Sequence, residues 1–329
     1  MRDEQVFSRP SLDSDSTTPP SSAPDPGTSR LEGLLRKVFL NESGLRSGWS
    51  VLLYLAIWYA VLWTLTVIAA NIFLPLFPRL DLRLSSPANV LIQEFLGFAA
   101  CYGTAVLMGK LEQREIGSYG LPLGEAFRKK FWQGILLGFF EIVLLVGLIA
   151  GFGGYSFGLP ALRGSSILGW GAVWGFAFLL VGLSEEFLFR GYILYTLTRG
   201  MGFWPAAVSL SIAFGGVHLR NPGEGVVGAA SVAVTGLVFA FALRRTGNLW
   251  LAVGWHASFD FGETFLFSVP DSGVLYDKHL SNAILHGANW LTGGTVGPEG
   301  SVFSFLTMGI CALLIHFFFP AKNVSTARE

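Results

Sequence analysis

Long apolar runs separated by short polar ones set the pattern of this chain. Eight stretches, near 49–70, 90–108, 131–152, 167–197, 203–219, 226–243, 249–268 and 302–319, carry very few ionisable side chains. A spanning helix takes roughly 20 mostly apolar residues to cross the hydrocarbon core. The pattern therefore predicts an all-α fold, a polytopic transmembrane bundle of about eight helices over 49–320. The fourth stretch is too long for one crossing, so part of it is expected to emerge into solvent. The first 30 residues, rich in Ser, Pro and Asp, lack the apolar core of a signal peptide and read as a disordered tail. Residues 31–48, with Arg36, Lys37 and Arg46, read as a juxtamembrane amphipathic segment.

Composition agrees with the pattern. The 329 residues are 52% hydrophobic and 13% charged, with 29 Phe and 10 Trp, outside the range of soluble domains. The formal net charge is zero, so nothing points to nucleic acid, and the expected surroundings are the lipid bilayer. Cys101 and Cys311 fall inside apolar stretches and fit buried packing better than a disulfide. Basic residues then orient the bundle. With the N-terminus in the cytoplasm, Arg36, Lys37, Arg46, Lys110, Arg114, Arg128, Lys129, Lys130, Arg199, Arg244, Arg245, Lys322 and Arg328 lie inside, against Arg79, Arg83, Arg163, Arg220 and Lys278 outside. Both termini are expected in the cytoplasm of what reads as a bacterial cell membrane protein. The Gly-rich loop 269–301, with His279 and His286 as solvated residues, is then external.

Polar residues inside the apolar stretches need a reason, since an acid or Arg at a helix centre costs about 2.5–3.5 kcal/mol on insertion scales. The fourth stretch carries "SEEFLFR". Glu186 and Arg190 are four apart on one helical face and can pair; Glu185, rotated by about 100°, points elsewhere and can face a cavity. The fifth carries "FGGVH", in which Gly215 and Gly216 permit close backbone approach beside His218. The seventh carries "HASFD", with His256 and Asp260 on one face. Counted at about 1.5 Å per residue from the inner ends, Glu185 lies about 18 Å up, His218 about 22 Å, His256 about 12 Å and Asp260 about 18 Å. The spacing permits one common site among helices four, five and seven.

Two chemistries suit these residues. A Glu walled by apolar groups becomes a general base nearer neutrality. With a neutral His it can activate water, while a second His and an Asp stabilise or orient a donor to an oxyanion. Alternatively Glu185, His218 and His256 form a zinc set with an open fourth position, although HExxH spacing is absent and no Cys is near. Glu94 and Glu141, also within apolar stretches, read as interhelical hydrogen-bonding groups. They leave open a proton-coupled transporter, which would more often show repeated halves.

At these residues the chain resembles the CAAX-protease and bacteriocin-processing (CPBP, or Abi) family, which includes the Rce1-type CAAX endopeptidases. That family shows EExxxR, FxxxH and HxxxN or HxxxD on three transmembrane helices, which stand here as Glu185–Arg190, Phe214–His218 and His256–Asp260. The resemblance covers about 165–265. It implies an intramembrane endopeptidase in which Glu185 and His218 activate water and His256 with Asp260 stabilises the oxyanion. Glu186, Arg190 and Phe214 then support the site. It further implies a peptide or prenylated protein substrate and a mechanism that needs no cofactor in the preferred reading, with zinc as the alternative. An inert member acting as a scaffold or in immunity is the remaining reading.

Overall fold

The computed structural model describes residues 33, 37–41 and 44–320. The tail expected over 1–30, and Arg36, Lys322 and Arg328 from the charge count, lie outside the described residues. The chain divides at Arg46 into two units. In the first, Leu40–Asn41 pairs antiparallel with Gly44–Leu45.

The second unit is a helix bundle: α1 (Ser47–Ile68), α2 (Pro87–Leu111), α3 (Lys129–Gly151), α4 (Ser165–Arg190), α5 (Tyr192–Met201), α6 (Phe203–His218), α7 (Val226–Thr246), α8 (Trp250–Phe261), the single turn α9 (Asn289–Thr292) and α10 (Val302–Phe318). Each of the eight apolar stretches holds a helix, and the fourth holds two. Among the described residues, five segments are long and apolar enough to cross a membrane: α1 continued to Leu76, α2, α3, α4 with α5, and α7. The chain is an integral membrane protein of the all-α, polytopic class. The other three stretches fall short of a full span. α6 and α10 have 16 and 17 residues, and α8 has 12 before a π turn at Gly262–Leu266.

The fourth stretch breaks at Gly191, as its length requires. A Cβ there would lie 2.3 Å from the Phe187 carbonyl oxygen, so only glycine allows the chain to turn off the helix axis at this point. Expected from sequence to run to Leu197, this helix ends at Arg190 instead. Glu185 is thus five residues, about 7.5 Å, from that end, and His256 is six residues, about 9 Å, from the start of α8. That correction brings the two nearly level.

α8 occupies the middle of the bundle. Trp250 through Trp255 are all buried, as expected of a helix apolar on every side. Its approach to α3 depends on missing side chains: a Cβ at Gly134 would sit 2.1 Å from the Leu251 carbonyl, and one at Gly254 2.3 Å from that of Phe131. Small residues let backbones close in this way where lipid supplies no hydrophobic drive. Trp255 Nε1 then donates to Glu141 Oε2 at 2.6 Å, and Thr307 Oγ1 to Glu141 Oε1 at 3.3 Å. Glu141 therefore does join α3, α8 and α10.

The helix ends sort into two sets. At one, Leu249 N bonds to Gly120 O and Asn248 to Glu125, while Arg244 lies over Phe203 and Trp204. At the other, Tyr155–Ser156 pairs with Ile284–Leu285, Asp277 N bonds to Ser85 O, and Asn221 Nδ2 donates to Ser272 O at 2.8 Å. At that second end Arg83 holds Asp81 and Asp277, at 2.7 and 3.0 Å; it keeps the exposed Asp81 carboxyl down at about 2. Basic residues of the first set are those assigned to the inside from sequence. Cys101 and Cys311 are free and buried, as expected.

Candidate functional site

On α4 the two adjacent acids part as their rotation predicts. Glu186 is fully buried, and its Oε1 lies 3.1 Å from Arg190 Nη1. The same oxygen lies 3.0 Å from His256 Nδ1 on α8, a contact no local spacing predicts. Glu185 keeps 27% of its side chain exposed and lines a cavity of about 270 Å³. Its Oε2 has no hydrogen-bond partner and stands 3.6 Å from His256 Nε2. Asp260, one turn along α8, places Oδ2 3.5 Å from the same nitrogen. Both ring nitrogens of His256 therefore face carboxylates.

α6 contributes Phe214 and His218. The Phe214 ring centre lies 4.1 Å from the Arg190 guanidinium carbon, a desolvated cation–π contact. The carbonyl of the same residue lies 2.8 Å from His218 Nδ1. A carbonyl only accepts, so Nδ1 carries the proton, and a neutral His218 presents Nε2 as an acceptor. Phe214 thus joins the arginine of one motif to the histidine of the next. Gly215 does permit close approach, since a Cβ there would meet the Ala229 carbonyl at 2.2 Å; Gly216 has nothing within 4 Å.

His218, Glu185, His256 and Asp260 all line the one cavity. Glu94 lines it too, within electrostatic reach of Glu185, and is more than an interhelical bonding group. Loop residues Asn221, Asp271 and Glu299 also line it; sequence reasoning assigned none of them, because the turns that carry them leave no periodic signal. His279 and His286 bond instead to Ser281 O and Ser156 Oγ.

The zinc set does not close. Among the described residues the only group of three or more ligand atoms all within 4.8 Å of one another is Glu263, Asp271 and Glu299; Glu185, His218 and His256 do not form such a group. What the arrangement offers is a free carboxylate oxygen, an acceptor imidazole and a doubly braced imidazole around one partly open cavity.

Residues 167–262 match a family model described as Type II CAAX prenyl endopeptidase Rce1-like. The matched segment runs from early α4 to the end of α8 and contains all three motifs, in agreement with the resemblance read from them. No curated protein and no solved structure was found to match the chain.

Proposed function

We propose that this membrane protein, built around an Rce1-like segment, is an intramembrane endopeptidase that cleaves a peptide or prenylated protein with water activated by Glu185. The observation that carries the reading is the unpartnered Glu185 oxygen beside His256 in a cavity walled by the three motif helices. In the proposed reaction Glu185 takes a proton from water as its oxygen attacks the scissile carbonyl. His218, its Nδ1–H engaged by Phe214, accepts the water's second hydrogen bond at Nε2. The oxyanion receives a hydrogen bond from His256 Nε2–H, a preorganised donor of the kind that contributes most in a dry site. Glu185 then hands its proton to the leaving amine, which restores the carboxylate.

Asp260 and Glu186 act through His256. An ionised Asp260 cannot donate to an oxyanion, and its position 3.5 Å from Nε2 suits orientation of the ring. Glu186 fixes the opposite nitrogen. The orientation that accompanies this reading puts the end bearing Arg128, Arg199 and Arg244 in the cytoplasm.

The test is a cleavage screen of the purified protein in liposomes, against farnesylated CAAX peptides and unmodified membrane-derived peptides, with Glu185→Ala in parallel. The proposal expects mass-resolved products from at least one class with wild type and none with the variant. Products of equal yield from both proteins contradict the role of Glu185. No product from either class favours an inert scaffold.

A further inference from the structure

Where the 269–301 loop walls this cavity lies a second group of acids that the proposed reaction does not use, two of them lining the cavity and the third buried beside it. Glu263, on the π turn after α8, is completely buried, and neither of its carboxylate oxygens has a hydrogen-bond partner. Asp271 and Glu299 bring one oxygen each so that the three ligand atoms lie within 4.8 Å of one another. The neighbours are neutral donors. Thr264 Oγ1 donates to Asp271 at 3.0 Å, and the Ser272 N–H and Oγ–H donate to Glu299 at 3.1 and 2.7 Å. The Glu299 backbone N–H offsets part of the Glu263 charge electrostatically, without hydrogen-bond geometry to either oxygen. Among the described residues no Lys or Arg forms an ion pair with any of the three.

The backbone is shaped to bring them together. Gly297 has φ +104°, and a Cβ there would lie 1.9 Å from the Pro270 carbonyl oxygen and 3.4 Å from Glu263 Oε1. Only glycine lets the 297–299 segment pass this close to both. Gly273 N bonds to Val296 O at 2.8 Å, and Thr295 Oγ1 to Gly223 O at 2.8 Å. Three turns, 219–225, 269–274 and 293–300, thereby converge on the acids, and the first of them follows His218 directly.

We propose that Glu263, Asp271 and Glu299 bind a divalent cation of the calcium class, which fastens the 269–301 loop to the end of α8 and to the rim of the cavity. Buried carboxylates without cationic partners are expensive unless something neutralises them. All-oxygen donors select a hard cation over zinc. Oxygens that all lie within 4.8 Å of one another can surround an ion at about 2.4 Å, the calcium–oxygen distance, and calcium accepts the irregular geometry that three loop and helix-end carboxylates offer more readily than magnesium does. The Thr264 and Ser272 hydroxyls, already on Asp271 and Glu299, and water are the further oxygens that calcium would draw on.

The test needs no turnover, so its outcome is separate from that of the peptidase reading. Detergent-purified protein is stripped with chelator and equilibrated with radioactive calcium, and its thermal unfolding is followed with and without millimolar calcium. Wild type should bind about one calcium per chain and gain several degrees, as a ligand specific to the folded state does. Glu263→Gln should lose both effects, and Glu299→Gln should bind at least about tenfold more weakly. If Glu263→Gln does not fold, the partly exposed Glu299→Gln carries the comparison. No saturable binding by folded, stripped wild type, or equal affinity in wild type and the folded variants, overturns the proposal and leaves the three acids sharing protons instead.

Discussion

His256 Nδ1 stands 3.0 Å from Glu186 Oε1. The oxygen that balances Arg190 therefore also braces the imidazole facing Glu185. One buried carboxylate serves two positively polarised partners on two helices, so its removal should act on stability and on chemistry together.

Glu186→Ala leaves Arg190 charged and buried, which typically costs roughly 3–5 kcal/mol. Glu185→Ala removes a partly exposed side chain and should unfold close to wild type. Replacing the pair together, as Glu186→Leu with Arg190→Met, should recover much of the stability, because an apolar substitute for a buried pair is often neutral. Hydrolysis should stay impaired, since the Glu186 carboxylate facing His256 Nδ1 is gone. Thermal unfolding in detergent and a peptide-cleavage assay read the two effects separately. A Glu185→Ala protein that melts as badly as Glu186→Ala, with full turnover left in Glu186→Ala, reverses the two roles.

Phe214 offers a ring to Arg190 and a carbonyl to His218, and the two functions can be divided. Phe214→Leu keeps the carbonyl but loses the cation–π contact, so stability should fall by about 1–2 kcal/mol while cleavage remains measurable. Unchanged unfolding would mean that the ring contributes nothing to holding Arg190.

The pairing of Tyr155–Ser156 with Ile284–Leu285 puts the 152–164 and 269–301 loops at one end of the bundle, and most of the basic residues gather at the other. Ala288 and Arg128, one from each end, are both exposed. With Cys101 and Cys311 replaced, an impermeant thiol reagent on intact cells should label Ala288→Cys and not Arg128→Cys. The opposite result would invert the topology.

The three motifs were legible because each is local. Glu186 with Arg190, Phe214 with His218 and His256 with Asp260 are all four residues apart, and helical periodicity alone puts each pair on one face. What escaped the sequence is tertiary. The Glu186–His256 contact spans 70 positions, and the i, i+4 pairing with Arg190 had already accounted for Glu186. The 269–301 loop owes its path to positive-φ glycines such as Gly273 and Gly297 and to backbone contacts between turns. Neither leaves a hydrophobic period, so nothing in the sequence singles out Asp271 and Glu299. The break at Gly191 was anticipated only as an excess of length, because one glycine among many carries no positional signal until Phe187 is seen behind it.

Glu185→Gln tests the central claim most directly. The amide keeps the size of the side chain but cannot take a proton from water. Turnover of a cleavable peptide by wild type that has been chelator-treated and resupplied with calcium alone, and by Glu185→Gln, is measured alongside their unfolding. The account predicts that this treatment leaves wild-type hydrolysis intact, and that Glu185→Gln folds normally yet hydrolyses at least about 100-fold more slowly, the scale of lost general-base catalysis. Near wild-type turnover in a folded Glu185→Gln protein would contradict it. So would wild-type activity that stays lost after calcium is resupplied and returns with stoichiometric zinc.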